Sequence, residues 1–291
     1  MAHLDEYQRT SPYLLPRPDR VFGPKHHAAF AKVPATLLAE RATWYAAVEG
    51  LSVAWVYSKS LAAAIRGYSR WHMKRQTAGR PGLFEKVWPD YPVGCKRILF
   101  SSDYLPAVEK PNVDLITAGI REITPAGVRT DDCVEHPADV IIWGTGFKAT
   151  EFLAPMTING VDGRNLHAQW AEGARAYYGI SVPNFPNLAI MYGPNTNTGG
   201  GSIIYFLEAQ ARYIRDMVEY LQRTGRPIEV RQDVADAHDD EIQRELSGSV
   251  WSQCASWYRN SDGRITTNWP RLGAQYRRQA KFRVEDYQLV P

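Results

Sequence analysis

The stretch Ala138–Phe147, with the sequence Ala-Asp-Val-Ile-Ile-Trp-Gly-Thr-Gly-Phe, constrains the fold of this chain more than any other. Its central run of Val, Ile, Ile and Trp is typical of a strand that is buried on both faces of a parallel sheet. The run ends in Gly144, Thr145 and Gly146, which predict a tight turn. Ligands of open α/β sheets bind just beyond the carboxyl ends of such strands. We therefore predict an α/β fold with a ligand site at this turn.

Two other interpretations of the turn have to be weighed. With Ala149 in the third glycine position and Asp162 downstream, the turn nearly matches the dinucleotide fingerprint Gly-x-Gly-x-x-Gly. We reject this match because the fingerprint needs an amphipathic helix at its second glycine. Lys148–Pro155 is short and ends in proline, and Thr157–Gly163 is typical of a hairpin. A core strand followed by a turn that binds no ligand stays open as the other alternative.

Composition excludes several classes of protein. The chain has 291 residues, which is enough to bury a large core in one large or two modest domains. A net charge of +3 is too small to indicate nucleic-acid binding, and basic and aromatic residues do not alternate along one face. The apolar stretches are too short to span a membrane, and the polar, acidic N-terminus is not typical of a signal peptide.

The cysteines and histidines predict neither a cross-linked fold nor a metal site. Cys95, Cys133 and Cys254 are far apart and odd in number, so we expect no disulfide framework, no zinc site and a reducing cytoplasm. Among the histidines, the following stand alone in the sequence, without a carboxylate or thiol partner nearby: His3, His72, His136, His167 and His238. We therefore expect no metal. Gly199–Ser202 also differs from the Gly-x-Ser-x-Gly elbow of hydrolases.

Hydrophobic periodicity predicts helices in three regions. Apolar and aromatic residues recur at helical spacing from Pro34 to about Gln76, with a break expected at Gly50–Ser52. We interpret the aromatic residues of this region as packing. An amphipathic helix is predicted over Ser202–Arg223, with Gly225 as its stop, and an acidic helix over Asp233–Gln253.

Strands are predicted in four places. A short strand before Tyr7 has no partner of its own, so it must add to a sheet formed elsewhere, and the short strands predicted over Val113–His136 lead back to it. The buried run Ala138–Phe147 is a further strand. Asn187–Tyr192 is predicted as another buried strand, which ends in the glycine-rich loop Gly193–Gly201. This loop enters the helix at Ser202, and such a helix N-terminus favours electron-rich ligand atoms.

Five motifs occur in the order found in flavin-dependent monooxygenases of the Baeyer–Villiger type, which the chain resembles over nearly its whole length. The motifs are Tyr7–Thr10 with Pro16–Arg20, Tyr91–Arg97 with Ser102–Tyr104, Asp139–Phe147, Pro186–Pro194 and Ser256–Tyr258. The resemblance implies a partial flavoprotein with two dinucleotide-binding domains, built from Rossmann-like sheets, and with a helical insertion.

The resemblance also implies a division of the chain into segments. Residues 1–22 would end the first half of the NADPH-binding domain, and residues 23–90 would form the helical insertion. Residues 91–140 would return to the NADPH-binding domain, and residues 141–291 would form the C-terminal part of the FAD-binding domain. Complete members have two glycine fingerprints, and this chain has neither, so we expect the C-terminal half of an N-terminally truncated member.

Four residues are implied to bind NADPH. The family's Arg-Thr pair contacts the adenosine 2′-phosphate, so Arg9 would hold this phosphate as a charged fork and Thr10 would add a hydroxyl. Lys96 would join the same phosphate site. Trp257 would lie on a mobile loop that closes over the nicotinamide cofactor. By spacing alone, Arg9 is an exposed cation, and Lys96 and Arg97 are a pair of strand-edge cations.

The resemblance implies that Arg97 is the catalytic residue. In the family this arginine lies over the flavin, where a guanidinium stabilises a peroxide anion without supplying a proton. Asp103 would either orient Arg97 or cap a turn. The residues implied to contact FAD are Thr145, Gly146, Gly193, Pro194 and Asn195.

The implied activity is an FAD- and NADPH-dependent insertion of one oxygen atom from O2 into a ketone, or the oxidation of a sulfide or amine, through a flavin peroxide. The alternative is a non-catalytic remnant or interaction module of such an enzyme, which binds a partner through open sheet edges. Its protein partner would be a separate N-terminal half or a second copy of the chain.

Overall fold

The computed structural model describes residues 2–290. Its strands are β1 (Leu4–Tyr7), β2 (Leu14–Leu15), β3 (Leu99–Phe100), β4 (Val113–Ile116), β5 (Ile120–Thr124), β6 (Gly127–Thr130), β7 (Glu135–Pro137), β8 (Ile228–Val230) and β9 (Tyr287–Leu289). Its α-helices are α1 (Pro24–Lys32), α2 (Pro34–Val56), α3 (Lys59–Gln76), α4 (Leu83–Val87), α5 (Tyr104–Val108), α6 (Leu166–Gln169), α7 (Ile203–Thr224), α8 (Gln232–Ser247) and α9 (Gly273–Gln279).

The chain divides into two compact units, each assembled from separate stretches of sequence. Unit 1 consists of the residues up to Val21 together with Ser60–Val93 and Arg97–Phe147. Unit 2 consists of Phe22–Lys59, Gly94–Lys96 and the residues from Lys148 onward.

Unit 1 contains three small sheets. β1 pairs with β4 in parallel, with Leu4 opposite Val113 and Tyr7 opposite Ile116. β2 pairs in parallel with β3, and β5, β6 and β7 form an antiparallel meander. The opening strand therefore does add to a strand from much later in the chain, and the predicted run of short strands over Val113–His136 is confirmed.

The core of unit 1 packs α3, α4 and α5 against these strands. Leu14 and Leu115 contribute from the strands, and Met73, Leu83 and Leu105 contribute from the helices. All of these side chains are buried. Removing such side chains from water is the main favourable contribution to folding.

Unit 2 is organised around α7. Its long apolar face buries Tyr213 and Met217 against Ile180, Ile228 and Tyr287. The predicted helix over Ser202–Arg223 is therefore confirmed. Its predicted stop is confirmed too, because Gly225 caps the helix with a φ of 63°, a left-handed conformation that glycine adopts without strain.

Two helix boundaries differ from the prediction. The helical region from Pro34 breaks between Val56 and Lys59, whereas the predicted break at Gly50–Ser52 lies inside α2. A single glycine weakens a helix by only about 1 kcal/mol, and tertiary packing overrides such a cost. The acidic helix α8 ends at Ser247, before the predicted end at Gln253, because Gly248 follows it as the C-cap residue.

Two predicted buried strands are wrong. Ala138–Phe147 is irregular and largely exposed, with Ile142 80% and Phe147 98% accessible. A strand needs neighbours to pair its backbone groups, and none of the strands within residues 2–290 lies beside this segment. Asn187–Tyr192 is also irregular, because both terminal residues of this stretch have a φ of 58°, which interrupts an extended backbone.

The length and polarity of a helix decide whether it can cross a bilayer. A membrane-spanning helix needs about 20 consecutive, predominantly apolar residues. Among residues 2–290, no helix combines the length and the apolar character needed to cross a membrane.

Candidate functional site

The carboxyl edge of the β1–β4 pair carries the first two predicted residues. Both strands run in the same direction, so their carboxyl ends meet at one edge, which is where α/β sheets bind ligands. Gln8 continues the pairing by donating its backbone N–H to Ile116 at 3.0 Å. Arg9 and Thr10 follow directly, with Arg9 exposed and Thr10 half-buried.

A partly buried hydrogen-bond network holds this edge in place. The Gln8 side chain donates to the Tyr104 hydroxyl at 3.0 Å and accepts a hydrogen bond from Ser11. Tyr104 in turn donates to the Glu6 carboxylate at 2.7 Å. Burial, followed by this hydrogen bond, raises the pKa of Tyr104 well above its usual range, so the phenol stays protonated. The residue before Arg9 is therefore fixed by side-chain as well as backbone hydrogen bonds.

Lys96 and Arg97 follow a turn that brings the backbone against an aromatic ring. Gly94 has a φ of 89°, and a Cβ at this position would lie 2.6 Å from the Trp55 ring. Only glycine tolerates both conditions. Lys96 is half-buried, whereas Arg97 is exposed and forms no hydrogen bond or ion pair with the rest of residues 2–290. The Arg97 guanidinium is therefore available to a ligand.

The structure answers the question about Asp103. Its carboxylate accepts a hydrogen bond from Ser101 Oγ at 2.9 Å, and Ser101 Oγ also accepts from the backbone N–H of Tyr104 at 3.0 Å. Asp103 thus belongs to the turn that opens α5, and the alternative in which it orients Arg97 is not seen.

Cys95 and Cys254 form a disulfide bond, with their Cα atoms 6.2 Å apart and 159 positions between them in the sequence. The prediction that the cysteines form no disulfide is therefore wrong. A sequence with an odd number of widely spaced cysteines carries no signal of which pair meets, since folding alone brings them together. The bond attaches the segment that carries Lys96 to the loop that carries Trp257.

The Trp257 loop is held at its base and exposed at its tip. Arg259 donates to the carbonyls of Ser252 at 3.2 Å and Gly263 at 3.0 Å, which closes the loop. Trp257 packs against the buried ring of Tyr258, with the ring centroids 4.3 Å apart, and remains 46% exposed. An aromatic ring on such a loop can cover a ligand without a large rearrangement of the base.

The first residues of the glycine-rich loop are buried in the interior of unit 2. Gly193 packs so closely on Gly179 that a Cβ would lie 2.2 Å from the Gly179 carbonyl oxygen. Pro194 is buried, and the Asn195 amide donates to the carbonyls of Ile265 at 2.9 Å and Asn268 at 3.0 Å. The Asn195 side-chain amide N–H groups therefore serve the fold, and the prediction that these three residues contact FAD stays a prediction.

Two tryptophans each have a buried indole N–H group beside the end of this loop. Trp55 and Trp251 are each more than nine-tenths buried, yet neither indole N–H has a hydrogen-bond partner within residues 2–290. A Cβ placed on Gly200 would lie 2.8 Å from the Trp55 indole nitrogen, and a Cβ placed on Gly199 would lie 3.3 Å from the Trp251 indole nitrogen. Ser202 caps α7 without a side-chain hydrogen bond, and the Tyr205 N–H donates to the Ser202 carbonyl at 3.2 Å, so no capping side chain serves the first turn of α7.

This cluster of donors was missed in the sequence. Trp55 does pack, as we predicted for its helix, but no local signal identifies its N–H as unpaired, and Trp251 lies in another helical region. Two further buried polar atoms of unit 2 have no hydrogen-bond partner in the described chain: Thr266 Oγ1 and Asn268 Nδ2. Unpaired buried donors of this kind cost free energy unless a ligand or water accepts from them.

Thr145 and Gly146 belong to the irregular segment after β7. Both are exposed, and Gly146 has a φ of 84° with nothing within 4 Å of its Cβ direction. They lie in unit 1 with Arg9, Thr10 and Arg97, whereas the other predicted FAD contacts lie in unit 2. Their predicted role remains untested by this arrangement.

The histidine prediction needs a correction. His3 lies 3.0 Å from Asp5 and 3.4 Å from Asp114, and His136 lies 3.9 Å from Asp5, so His3 and His136 do have carboxylate neighbours. Parallel pairing of β1 with β4 places Asp5 opposite Asp114, which the sequence does not reveal. Asp114 also pairs with Arg80 at 2.8 Å. The expectation of no bound metal stays a prediction.

Comparison with curated proteins shows extensive similarity in sequence. The chain is 36% identical over 295 residues to a Baeyer–Villiger monooxygenase of Pseudomonas aeruginosa, in a match that covers 100% of this chain and 56% of that protein. It is 35% identical over 302 residues to the FAD-binding monooxygenase ktnD of Aspergillus niger, with 99% of this chain and 49% of that protein covered. The chain is homologous to part of the Baeyer–Villiger monooxygenases. The predicted family resemblance is therefore confirmed.

Solved structures confirm the predicted fold class. The crystal structure of OTEMO in complex with FAD and NADP matches with a TM-score of 0.83 at 22% identity, covering 99% of this chain and 62% of that one. A closed structure of cyclohexanone monooxygenase matches with a TM-score of 0.80, again at 22% identity and with the same coverage. The chain thus has the fold of part of a Baeyer–Villiger monooxygenase. No protein-family model matches it.

The chain spans about half the length of the curated Baeyer–Villiger monooxygenases that it matches. The matched part includes all five motifs noted in the sequence, because nearly the whole chain is covered. What these relatives do as whole proteins is therefore only a hypothesis for this chain.

Proposed function

We propose that the chain is the catalytic part of an FAD- and NADPH-dependent monooxygenase that transfers one oxygen atom from O2 to a ketone, or to a sulfide or amine. The observation that carries the proposal is the link between Cys95 and Cys254. It joins two motifs far apart in the sequence, so that Lys96 and Trp257, both predicted to bind NADPH, belong to attached segments. The division into residues 1–22, 23–90, 91–140 and 141–291 is part of the proposal.

NADPH would bind through Arg9, Thr10, Lys96 and Trp257. Arg9 projects from the carboxyl edge of β1, is exposed and has no ion pair within residues 2–290. Its planar guanidinium suits the 2′-phosphate, and Thr10 adds a hydroxyl. Lys96 would add a second charge, and Trp257 would cover the nicotinamide from its loop.

FAD would supply electron transfer and the activation of oxygen. The donors that fit its acceptor-rich edge are the unpaired indole N–H groups of Trp55 and Trp251 and backbone N–H groups in the first turn of α7, which has no side-chain cap. The backbone at Gly193–Asn195 and at Thr145–Gly146 would complete the contacts. The absence of side chains at Gly199 and Gly200 lets the loop backbone pack directly against the two indoles.

Arg97 would hold a fixed positive charge at the reacting centre. A guanidinium remains protonated at any relevant pH, so it stabilises developing negative charge without giving up a proton. The Arg97 side chain is exposed and unpaired within residues 2–290, so no protein carboxylate there competes for it. A small ketone, sulfide or amine and O2 are the proposed reactants.

One observation favours the second candidate function, a non-catalytic interaction module. The apolar segment Ala138–Phe147 is largely exposed and, apart from the Ala138 N–H that donates to Ala126, belongs to no strand pair within residues 2–290, which is the form of an edge that pairs with another chain. A separate N-terminal half or a second copy of the chain would serve as the partner. In either role we propose that the protein works in the cytoplasm, where NADPH is available.

The two functions are separated by flavin binding. The purified protein would be mixed with excess FAD, passed through a desalting column and examined by visible absorption, beside a protein of matched size that binds no flavin. The monooxygenase proposal predicts retained flavin absorbance near one FAD per chain, which bleaches when NADPH is added without oxygen.

Flavin that is retained but does not bleach would exclude the NADPH site while leaving the FAD site. If no flavin is retained above the control protein, the chain alone is not the oxygenase, and the interaction module is the better description.

A further inference from the structure

We propose that Cys95 and Cys254 form a reversible redox site that controls how firmly the loop carrying Trp257 is attached to the segment carrying Lys96. The inference rests on the proposed function, because it assigns a regulation to the NADPH site. It rests on the positions of four residues, which lie in unit 2.

The two cysteines are suited to pairing by their positions in the fold. Their Cα atoms are 6.2 Å apart, which lies within the range of about 4.4–6.8 Å that disulfides adopt. The third cysteine, Cys133, is exposed, is free and lies in unit 1. Replacing Cys133 therefore leaves only the two paired cysteines for thiol measurements.

The disulfide bond links the Trp257 loop to Cys95, whereas the hydrogen bonds of Ser256 join residues within the loop. Ser256 Oγ accepts from the backbone N–H of Tyr258 at 3.4 Å, and its carbonyl accepts from the N–H of Arg259 at 3.2 Å. These contacts give the loop its shape but do not fix it to Lys96. Breaking the disulfide would therefore increase the freedom of Trp257 relative to Lys96.

The two cysteines differ in accessibility, which determines which sulfur atom a small thiolate attacks. Cys95 is fully buried, whereas Cys254 is half-buried and lies between the exposed residues Gln253 and Ala255. A small thiolate would therefore attack the Cys254 sulfur, form a mixed disulfide there and release Cys95 as a thiolate that takes up a proton.

A second small thiol then releases Cys254 as its thiol and leaves as a small-molecule disulfide, so two electrons and two protons are delivered in all. Oxidation is the reverse, with a small disulfide of the glutathione type as the two-electron acceptor. A reducing cytoplasm makes such bonds transient rather than permanent.

The oxidised form should bind the nicotinamide cofactor more tightly. With the bond closed, Trp257 has fewer positions to sample before it covers the cofactor, so less conformational entropy is lost on binding. We expect the dissociation constant for NADP+ to rise about tenfold when the bond is reduced, which is the effect of ordering one or two side chains.

The test uses the protein with Cys133→Ser, so that alkylation and mass measurement count only the paired thiols. Samples are equilibrated in oxidised or reduced glutathione, and two quantities are measured in each: the rate of chymotrypsin cleavage after Trp257 and the affinity for NADP+. Cys254→Ser, in the same background, is the matched variant that cannot close the bond.

We expect zero free thiols in oxidised buffer and two in reduced buffer, with faster cleavage after Trp257 and weaker NADP+ binding in the reduced sample. Cys254→Ser, which retains only Cys95, should match the reduced sample in cleavage rate and NADP+ affinity in both buffers. Two free thiols in oxidised buffer, or equal cleavage in both, would overturn the redox site.

Equal NADP+ affinity in the two buffers would overturn the control of the cofactor site. Redox-dependent cleavage without any NADP+ binding would remove the proposed function while leaving the redox site, so the two failures are distinguishable.

Discussion

At the scale of single residues, Arg9 and Arg17 have the same charge but different surroundings. Arg17 pairs with Asp19 at 2.5 Å, whereas Arg9 is exposed without an ion pair in the described chain. If Arg9 binds the 2′-phosphate, Arg9→Ala should lose a charge-assisted hydrogen bond of about 2 kcal/mol, which is about a 30-fold weaker affinity for NADPH. The affinity for NADH, which lacks this phosphate, should not change.

These affinities can be measured by fluorescence titration, with Arg17→Ala as the control that should leave both unchanged. Equal losses for NADPH and NADH in Arg9→Ala would mean that Arg9 does not contact the 2′-phosphate.

His238 makes the stability of unit 2 depend on pH. Its Nε2 accepts the backbone N–H of Tyr178 at 3.3 Å, and burial, followed by repulsion from Arg271, lowers its pKa from 6.5 to about 4. The unfolded chain takes up a proton below pH 6.5, but the folded chain does not until about pH 4. Stability from this histidine is therefore complete above pH 6.5 and declines between pH 6.5 and 4.

We expect the free energy of unfolding to fall by about 2 kcal/mol more in the wild type than in His238→Gln between pH 7 and 5. Urea titrations at the two pH values measure this difference. Parallel declines in the two proteins would show that His238 is protonated in the folded state.

At the scale of elements, two glycines end neighbouring helices in different backbone conformations. Gly225 follows α7 with a φ of 63°, whereas Gly248 follows α8 with a φ of −89°. Gly225→Ala has open space for its Cβ but would place it in a left-handed conformation, so it should lower the free energy of unfolding by about 1 kcal/mol. Gly248→Ala should be neutral or slightly stabilising. Denaturant titration measures the free energy of unfolding of both variants. Equal changes in Gly225→Ala and Gly248→Ala would contradict this account.

At the scale of the whole molecule, the apolar segment Ala138–Phe147 should drive association. Val140 is 77% and Ile142 is 80% exposed, in a stretch with no pairing strand within residues 2–290. Ile142→Lys adds a charge to this surface and should reduce the weight-average mass in sedimentation velocity. Val21→Lys, at a separate position that is 91% exposed, is the control that should leave the mass unchanged. A mass that Ile142→Lys does not lower would place the association elsewhere.

Local sequence patterns were sufficient to predict an element where the residues that determine it are close in sequence. The amphipathic spacing of α7 and its stop at Gly225 could be predicted, because both depend on residues within a few positions. The pairing of the opening strand could be predicted as well, because an isolated strand must find a partner. Ala138–Phe147 was mispredicted, since burial of a strand depends on neighbours that its own composition does not supply.

The sequence by itself determined the family, the order of its motifs and the main helices, because these depend on residue types and short spacings. Only the tertiary structure decided that Cys95 meets Cys254, that Asp5 faces Asp114, and that the indoles of Trp55 and Trp251 are buried without partners. Each of these depends on contacts between residues far apart in the chain. Such contacts are selected by the packing of the whole fold, and no local preference of the residues involved encodes them.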